Sequence, residues 1–228
     1  QAGLDWSLSL PFQLGVRCER EPYQSPRLST RTYLVLSNPT LKTMVPNQAR
    51  RDLLFHQDCT LNSDDFYVDQ SVIEKVAEVF QKNQNIDALY ADLVYVEQNN
   101  TNKVVRFWKS CSFQHGMFRK AWVPAHPTFF VRKHVYEKHG VFNLKYKIAA
   151  DFELMYRFLE EKKVSVHYLP ELLIKMRVGG KTNESLANIL EQNREILSVM
   201  KTRDKQFSSI NWMLRKVFNR FFQFIRRP

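Results

Sequence analysis

Two adjacent carboxylates occur in the segment Asn62-Ser63-Asp64-Asp65, directly after Leu61. Paired carboxylates supply hard oxygen ligands, which suit Mg²⁺ or Mn²⁺. Asn, Ser and Asp also favour turns, so the same residues are typical of a bend before a helix. The segment therefore predicts either a divalent-cation site or a turn, and its spacing leaves both open.

A third acid, Asp151, follows two alanines and begins a helical pattern. A carboxylate there can stabilise the free N–H groups of a first helical turn. It can equally act as a general base that takes the proton of a substrate hydroxyl. His126 precedes a short apolar segment, where a histidine is either structural or part of a site.

Arg177 and Lys181 flank a glycine pair that leads into another helical pattern. Arginine, lysine and backbone N–H groups all favour phosphate oxygens, so this turn can close over a diphosphate. The pattern GxxxxGK[ST] is absent, which excludes a P-loop. Alone, the turn is a weak indication of phosphate binding.

Strand and helix patterns alternate around these residues, which predicts an α/β fold with a mixed sheet flanked by helices. Residues 88–96 form a strongly β-prone run that turns into residues 103–107 as a hairpin. Ser71 and Glu74 fit a capping box before an amphipathic helix, whose apolar residues recur at helical spacing from Val72 to Phe80. Further elements are predicted as strands at 32–36, 127–131, 164–169 and 172–176, with Pro170 between the last two, and as helices from Asp151 and through 186–200.

Composition narrows the class of protein. The 228 residues are 44% hydrophobic, which argues against disorder, and no apolar run approaches the length of a membrane span. We expect no secretory leader, because no basic segment followed by an apolar run opens the sequence. Three widely spaced cysteines argue against a disulfide framework and favour a protein of the reducing cytoplasm.

The net charge of +11 predicts a partner that carries phosphates, either nucleic acid or an anionic membrane.

Composition and sequence pattern divide the chain into three segments. They are an irregular segment with frequent prolines at 1–60, a core at 61–203 and a basic aromatic tail at 204–228. On a helix the tail places Leu214, Val217, Phe218, Phe221, Phe222 and Ile225 on one stripe. Such a stripe either packs on the protein's own core or lies on an anionic bilayer.

Several of these segments, in this order, resemble the inverting glycosyltransferases of family two, above all the bacterial members that build exopolysaccharide, capsule or O-antigen. The resemblance covers about residues 60–203 and rests on the segments 61–80, 88–96, 126–136, 148–159 and 169–190. It implies a GT-A fold, a nucleotide-sugar donor and a saccharide or lipid-linked acceptor. An enzyme of this kind would be cytoplasmic, at the inner face of the membrane.

The resemblance also implies roles for single residues. Asp64 would bind Mn²⁺ or Mg²⁺ in the family's Asp-x-Asp motif, whose first position is Asn62 here. Asp151 would be the catalytic base, and His126 would lie on the acceptor side. Donor contacts would come from Asn62, Ser63, Asp65 and Arg177.

Residues 1–60 do not match the family, because its first strand and its nucleotide-reading turn are absent there. We therefore expect an incomplete nucleotide-binding half, through a frameshift or a replacement. A catalytically impaired remnant is one alternative function, and a basic nucleic-acid-binding protein is another. No zinc-finger, RNP or helix-turn-helix pattern supports the second, so no nucleic-acid partner is expected.

Overall fold

The computed structural model describes residues 65–178 and 186–225. Several predictions therefore lie outside the described residues. They are the strand at 32–36, the residues Asn62, Ser63 and Asp64, the glycine turn with Lys181, and the last two arginines of the tail.

A mixed sheet organises the described chain, which confirms the predicted α/β class. Its strands are β1 (Asp65–Tyr67), β2 (Ala88–Val96), β3 (Val104–Trp108), β4 (Phe130–Val131) and β5 (Val166–Arg177). The order is β1-β5-β2-β3, with β4 also paired to β2. β2 runs parallel to β5 and antiparallel to β3 and β4, so β2 is the centre of the sheet.

Helices flank the sheet. They are α1 (Val72–Lys82), α2 (Lys133–His139), α3 (Ala150–Tyr156), α4 (Leu186–Arg203) and α5 (Ser209–Ile225). A single π-helical turn, Arg157–Glu161, extends α3, and short 3₁₀ turns occur at Phe118–Lys120 and His126–Thr128. None of the helices in the described part of the chain is both long and apolar enough to cross a membrane.

The two faces of β2 bury different clusters because strand side chains alternate. Leu89, Ala91 and Leu93 pack against α1, whose buried side chains recur at helical spacing: Val72, Val76, Ala77 and Phe80. Each of the larger side chains contributes about 1.5–3 kcal/mol on burial. Tyr90, on the other face, belongs to the cluster formed with α3, α4 and the start of α5.

The predicted capping box at Ser71 is wrong. The Ser71 hydroxyl donates to Asp69 Oδ1 at 2.6 Å, and the Ser71 backbone N–H donates to the same oxygen at 2.7 Å. Its side chain makes no cap hydrogen bond to α1. Asp69 therefore takes both donors in a turn before the helix, as Asp commonly does.

Proline positions caused two further errors. Pro170 does not end a strand, because β5 continues through it with a register irregularity opposite Ala91 and Asp92. Such bulges accept a proline that cannot donate to the ladder. Pro127 lies in a 3₁₀ turn, so the strand predicted at 127–131 is confined to Phe130–Val131.

Candidate active site

Asp151 lies in the first turn of α3, one residue after its first position. Ala149 holds the N-cap position and has no side-chain oxygen, so Asp151 is not the cap residue. One carboxylate oxygen, Oδ1, accepts the backbone N–H of Phe152 at 2.8 Å. The helical turn therefore holds one oxygen of Asp151 and leaves Oδ2 for another contact.

His126 is fixed by the 3₁₀ turn that it begins. Two residues later, the Thr128 hydroxyl accepts the N–H of Ala91 at 3.1 Å and lies 3.0 Å from the Ala91 carbonyl oxygen. Thr128 is fully buried. Because the hydroxyl ties this turn to the centre of β2, the His126 backbone has a defined place beside the sheet.

The side chains of His126 and Asp151 are in contact. Nδ1 of His126 lies 3.3 Å from Oδ2 of Asp151, and each side chain is 29% exposed. A protonated imidazole forms an ion pair at this distance, and a neutral one can orient the carboxylate. Because both side chains are partly exposed, a hydroxyl group from solution can still reach the pair.

A carboxylate on α4 holds the chain just before α3. Glu195 accepts the backbone N–H groups of Lys147, Ile148 and Ala149 at 2.9, 2.9 and 2.8 Å. Burial raises the pKa of Glu195, but these three donors outweigh it and leave the pKa below its ordinary value. The segment leading to Asp151 is therefore held by three charge-assisted hydrogen bonds.

The other side of α3 is anchored through Glu153, which is fully buried. Its carboxylate lies 3.1 Å from Arg157 Nε and 2.5 Å from Arg203 Nη2. Arg157 also donates to the Gly140 carbonyl at 3.0 Å. A buried carboxylate with two arginine partners fixes the helix that carries Asp151. Sequence patterns gave no indication of Glu195 or of the pair between Glu153 and Arg203, because the partners are distant in the sequence.

A second buried acid lies in β2. Asp92, 4% exposed, accepts the Ser110 N–H at 2.7 Å and the Tyr168 hydroxyl at 2.8 Å through Oδ1. Burial raises the pKa of Asp92, although both donors oppose the shift. Sequence reasoning assigned this residue only to a strand. An acid inside a β-prone run was the signal available for it, since such a residue needs buried partners.

Arg177 ends β5 beside Val96, which ends β2. These are the carboxyl ends of two parallel strands, where ligands commonly bind in α/β folds. The Arg177 guanidinium lies 5.5 Å from the centre of the Phe66 ring. Its Nε is buried and has no hydrogen-bond partner among the described residues. A buried cationic donor without a partner fits an anionic ligand.

Asp65 does not face the same way as Arg177. It pairs with Met176, and it lies on the face of β1 that carries Tyr67, which packs toward α1. Phe66, under Arg177, packs with Val94 on the opposite face. The structure thus separates these two predicted donor contacts across the sheet.

Of the segment predicted to hold the metal, the structure describes only Asp65, the predicted donor contact next to the ligand Asp64. Burial raises the pKa of Tyr95, and the Asp65 carboxylate adds a smaller contribution in the same direction, so Asp65 lies near that phenol. An oxygen ligand at the start of β1 fits Mg²⁺ or Mn²⁺. No group of three His, Cys, Asp or Glu side chains suited to a metal ion occurs within 65–178 and 186–225. Asp64, the predicted ligand, lies before that range.

No known protein-family profile matches this sequence. No curated protein matches it either.

Proposed function

We propose that this chain is an inverting glycosyltransferase that moves a sugar from a nucleotide-sugar donor to a saccharide or lipid-linked acceptor. The observation that supports this most is the pairing of His126 with Asp151 at 3.3 Å. Both residues lie in segments that resemble the acceptor and base regions of family-two enzymes. Both remain accessible at the surface.

The reaction is a single displacement. Asp151 takes the proton of the acceptor hydroxyl as the hydroxyl oxygen bonds to the anomeric carbon. The bond from that carbon to the diphosphate breaks, and the electron pair leaves on the diphosphate. His126 contacts the second carboxylate oxygen and so holds Asp151 in one orientation.

The leaving group gains negative charge as the bond breaks. Arg177 has a buried Nε without a hydrogen-bond partner among the described residues, which can donate to a phosphate oxygen, and its charge is worth most where water is excluded. A divalent cation on Asp64, the predicted metal ligand, would neutralise part of the same charge.

The test uses the full chain with UDP- and GDP-sugars in the presence of Mn²⁺ or Mg²⁺. Release of nucleoside diphosphate and sugar transfer to oligosaccharide acceptors are measured. We expect Asp151→Asn to keep donor binding and to slow transfer by about 10²–10⁴-fold, the usual contribution of a general base.

The chain offers a matched control in a second histidine–aspartate pair. His134 Nε2 lies 2.9 Å from Asp87 Oδ1 at the surface. His134→Asn should leave transfer unchanged. Near-normal transfer by Asp151→Asn removes Asp151 from the role of base. If the intact chain binds no nucleotide-sugar, the proposal fails, and a catalytically impaired remnant is favoured. If the chain instead forms a salt-sensitive complex with an oligonucleotide, a nucleic-acid-binding protein is favoured.

A further inference from the structure

The apolar stripe of α5 faces solvent in the described structure. Six of its aliphatic and aromatic side chains are between 59% and 75% exposed: Ile210, Leu214, Val217, Phe218, Phe221 and Ile225. Phe222 and Phe224 extend the stripe with 37% and 49% exposure. Contiguous apolar surface of this kind marks an interaction site, because isolated exposed residues are common and a continuous stripe is not.

The opposite side of α5 attaches the helix to the protein. The Trp212 indole N–H donates to the Phe118 carbonyl at 2.9 Å, and Lys216 donates to Asn193 Oδ1 at 2.5 Å. Asn219 Nδ2 lies 3.3 Å from the Ala121 carbonyl oxygen. These three residues recur at helical spacing on one side, so they fix the direction in which the stripe points.

Positive charge borders the stripe. At 3.6 residues per turn, Arg215 and Arg220 fall on the two flanks between the attached side and the stripe. The described segment 205–225 contains no acid, and Asp204 just before it is paired with Arg119 at 2.6 Å. A cationic margin on each side of an apolar face complements a negatively charged apolar surface.

We propose that α5 docks on an anionic lipid bilayer, lying in the plane of the headgroups with the stripe inserted. Amphipathic helices with basic flanks and phenylalanine-rich apolar faces bind in this way. The occupant is a membrane and not a second copy of the chain, because two apposed stripes would bring four arginines together. Half of the stripe's eight side chains, Ile210, Leu214, Val217 and Ile225, are aliphatic and give nucleic acid nothing to stack on, whereas acyl chains accept all eight.

The experiment is co-sedimentation of the full chain with phosphatidylcholine vesicles that contain increasing fractions of phosphatidylglycerol. Binding should rise with the anionic fraction and fall with added salt. Arg215→Gln with Arg220→Gln should lower partitioning by about fivefold for each charge, from ~1 kcal/mol per basic residue. Phe218→Ser with Phe221→Ser should lower it by at least roughly a hundredfold, since each buried phenylalanine contributes about 1.5–3 kcal/mol.

Matched controls come from another exposed region of the surface. Val141 and Leu144 are 57% and 66% exposed, so Val141→Ser with Leu144→Ser removes apolar surface away from α5. Lys138→Gln with Lys145→Gln removes two exposed charges elsewhere. Both control pairs should bind vesicles as the parent does.

Several outcomes would overturn the proposal. An intact chain that ignores anionic vesicles does so directly. A dimer by analytical ultracentrifugation that Phe218→Ser with Phe221→Ser abolishes, without vesicle binding, assigns the stripe to a second copy. A large fall in the melting temperature of that variant, again without vesicle binding, assigns it to the chain's own packing. Oligonucleotide binding that requires the same residues assigns it to nucleic acid.

Discussion

Glu195 accepts the backbone N–H of Ala149 at 2.8 Å, two residues before Asp151. The contact joins α4 to the start of α3, and it is the third of three such bonds to one carboxylate. The position of the candidate base therefore depends on an acid in another helix. Glu195 is a positioning residue for Asp151.

Glu195→Gln should lower the free energy of unfolding by about 1.5–3 kcal/mol at neutral pH, the usual contribution of hydrogen bonds to a charged group. The pKa of Glu195 is lowered in the folded protein. Its contribution is therefore complete above the unfolded pKa, near 4.5, and is lost as pH falls through the lower folded value. Urea unfolding at neutral and acidic pH measures both effects.

The control is Glu191→Gln on the same helix. Glu191 lies 3.2 Å from Arg194 in an exposed pair, so its loss should cost less than about 1 kcal/mol. Equal losses for the two variants, or an unchanged acid dependence in Glu195→Gln, would contradict the role given to Glu195.

Arg177→Gln should weaken the binding of a nucleoside diphosphate by about 10–100-fold, because a charge-assisted hydrogen bond is worth about 1.5–3 kcal/mol. Isothermal calorimetry with UDP and GDP measures the change. Arg194→Gln, in which an 80% exposed side chain is altered, should have no effect. Undiminished affinity in Arg177→Gln would leave its buried Nε without a role in donor binding.

Asp64→Ala should abolish the Mn²⁺- or Mg²⁺-dependent part of nucleoside diphosphate binding, because Asp64 is the predicted metal ligand. Asp69→Ala is the comparison, since Asp69 accepts two hydrogen bonds from Ser71 in an exposed turn. Calorimetric titrations with and without the cation separate the two variants. A similar loss in both would point to general destabilisation and not to a metal site.

Lys216 should make stability rise with pH in the alkaline range. Burial, with a further contribution from Arg220, lowers the pKa of Lys216 from 10.5 to about 8. Between these values the unfolded chain binds more protons than the folded chain, so raising the pH favours folding. Urea unfolding should show this rise in the parent and not in Lys216→Met.

Tyrosine ionisation also affects stability at high pH, so the informative quantity is the difference between the parent and Lys216→Met. Lys201→Met, at an exposed position of α4, is the matched control and should retain the rise. If the free energy of unfolding depends on pH in the same way in the parent and in Lys216→Met, burial does not lower the pKa of the Lys216 amine.

Local sequence patterns were sufficient to predict β2, β3 and α1. The β-prone run at Ala88–Val96 became β2, and its partner became β3 through a short polar turn. The helical spacing from Val72 to Phe80 became α1. These predictions hold because each depends on periodicity within a few residues, which side-chain geometry enforces directly.

Features that depend on competing contacts, such as the strand through Pro170 and the turn at Ser71, were harder to predict. Pro170 reads as a strand end, yet β5 continues past it through a bulge against β2. Ser71 reads as a helix cap, yet Asp69 takes its hydroxyl. In both cases a competing contact decided the outcome, and a sequence pattern contains no measure of that competition.

Residue types alone identify Asp151, His126 and Arg177 as side chains suited to proton transfer or phosphate binding. Contacts between distant elements, which form only on folding, bring His126 to Asp151 and place Asp65 and Arg177 on opposite faces of the sheet. The amphipathic period of α5 is likewise a property of its sequence. Its direction was decided by Trp212 and Lys216, which bind distant elements, because a helical period fixes which residues share a face but not which face meets the protein.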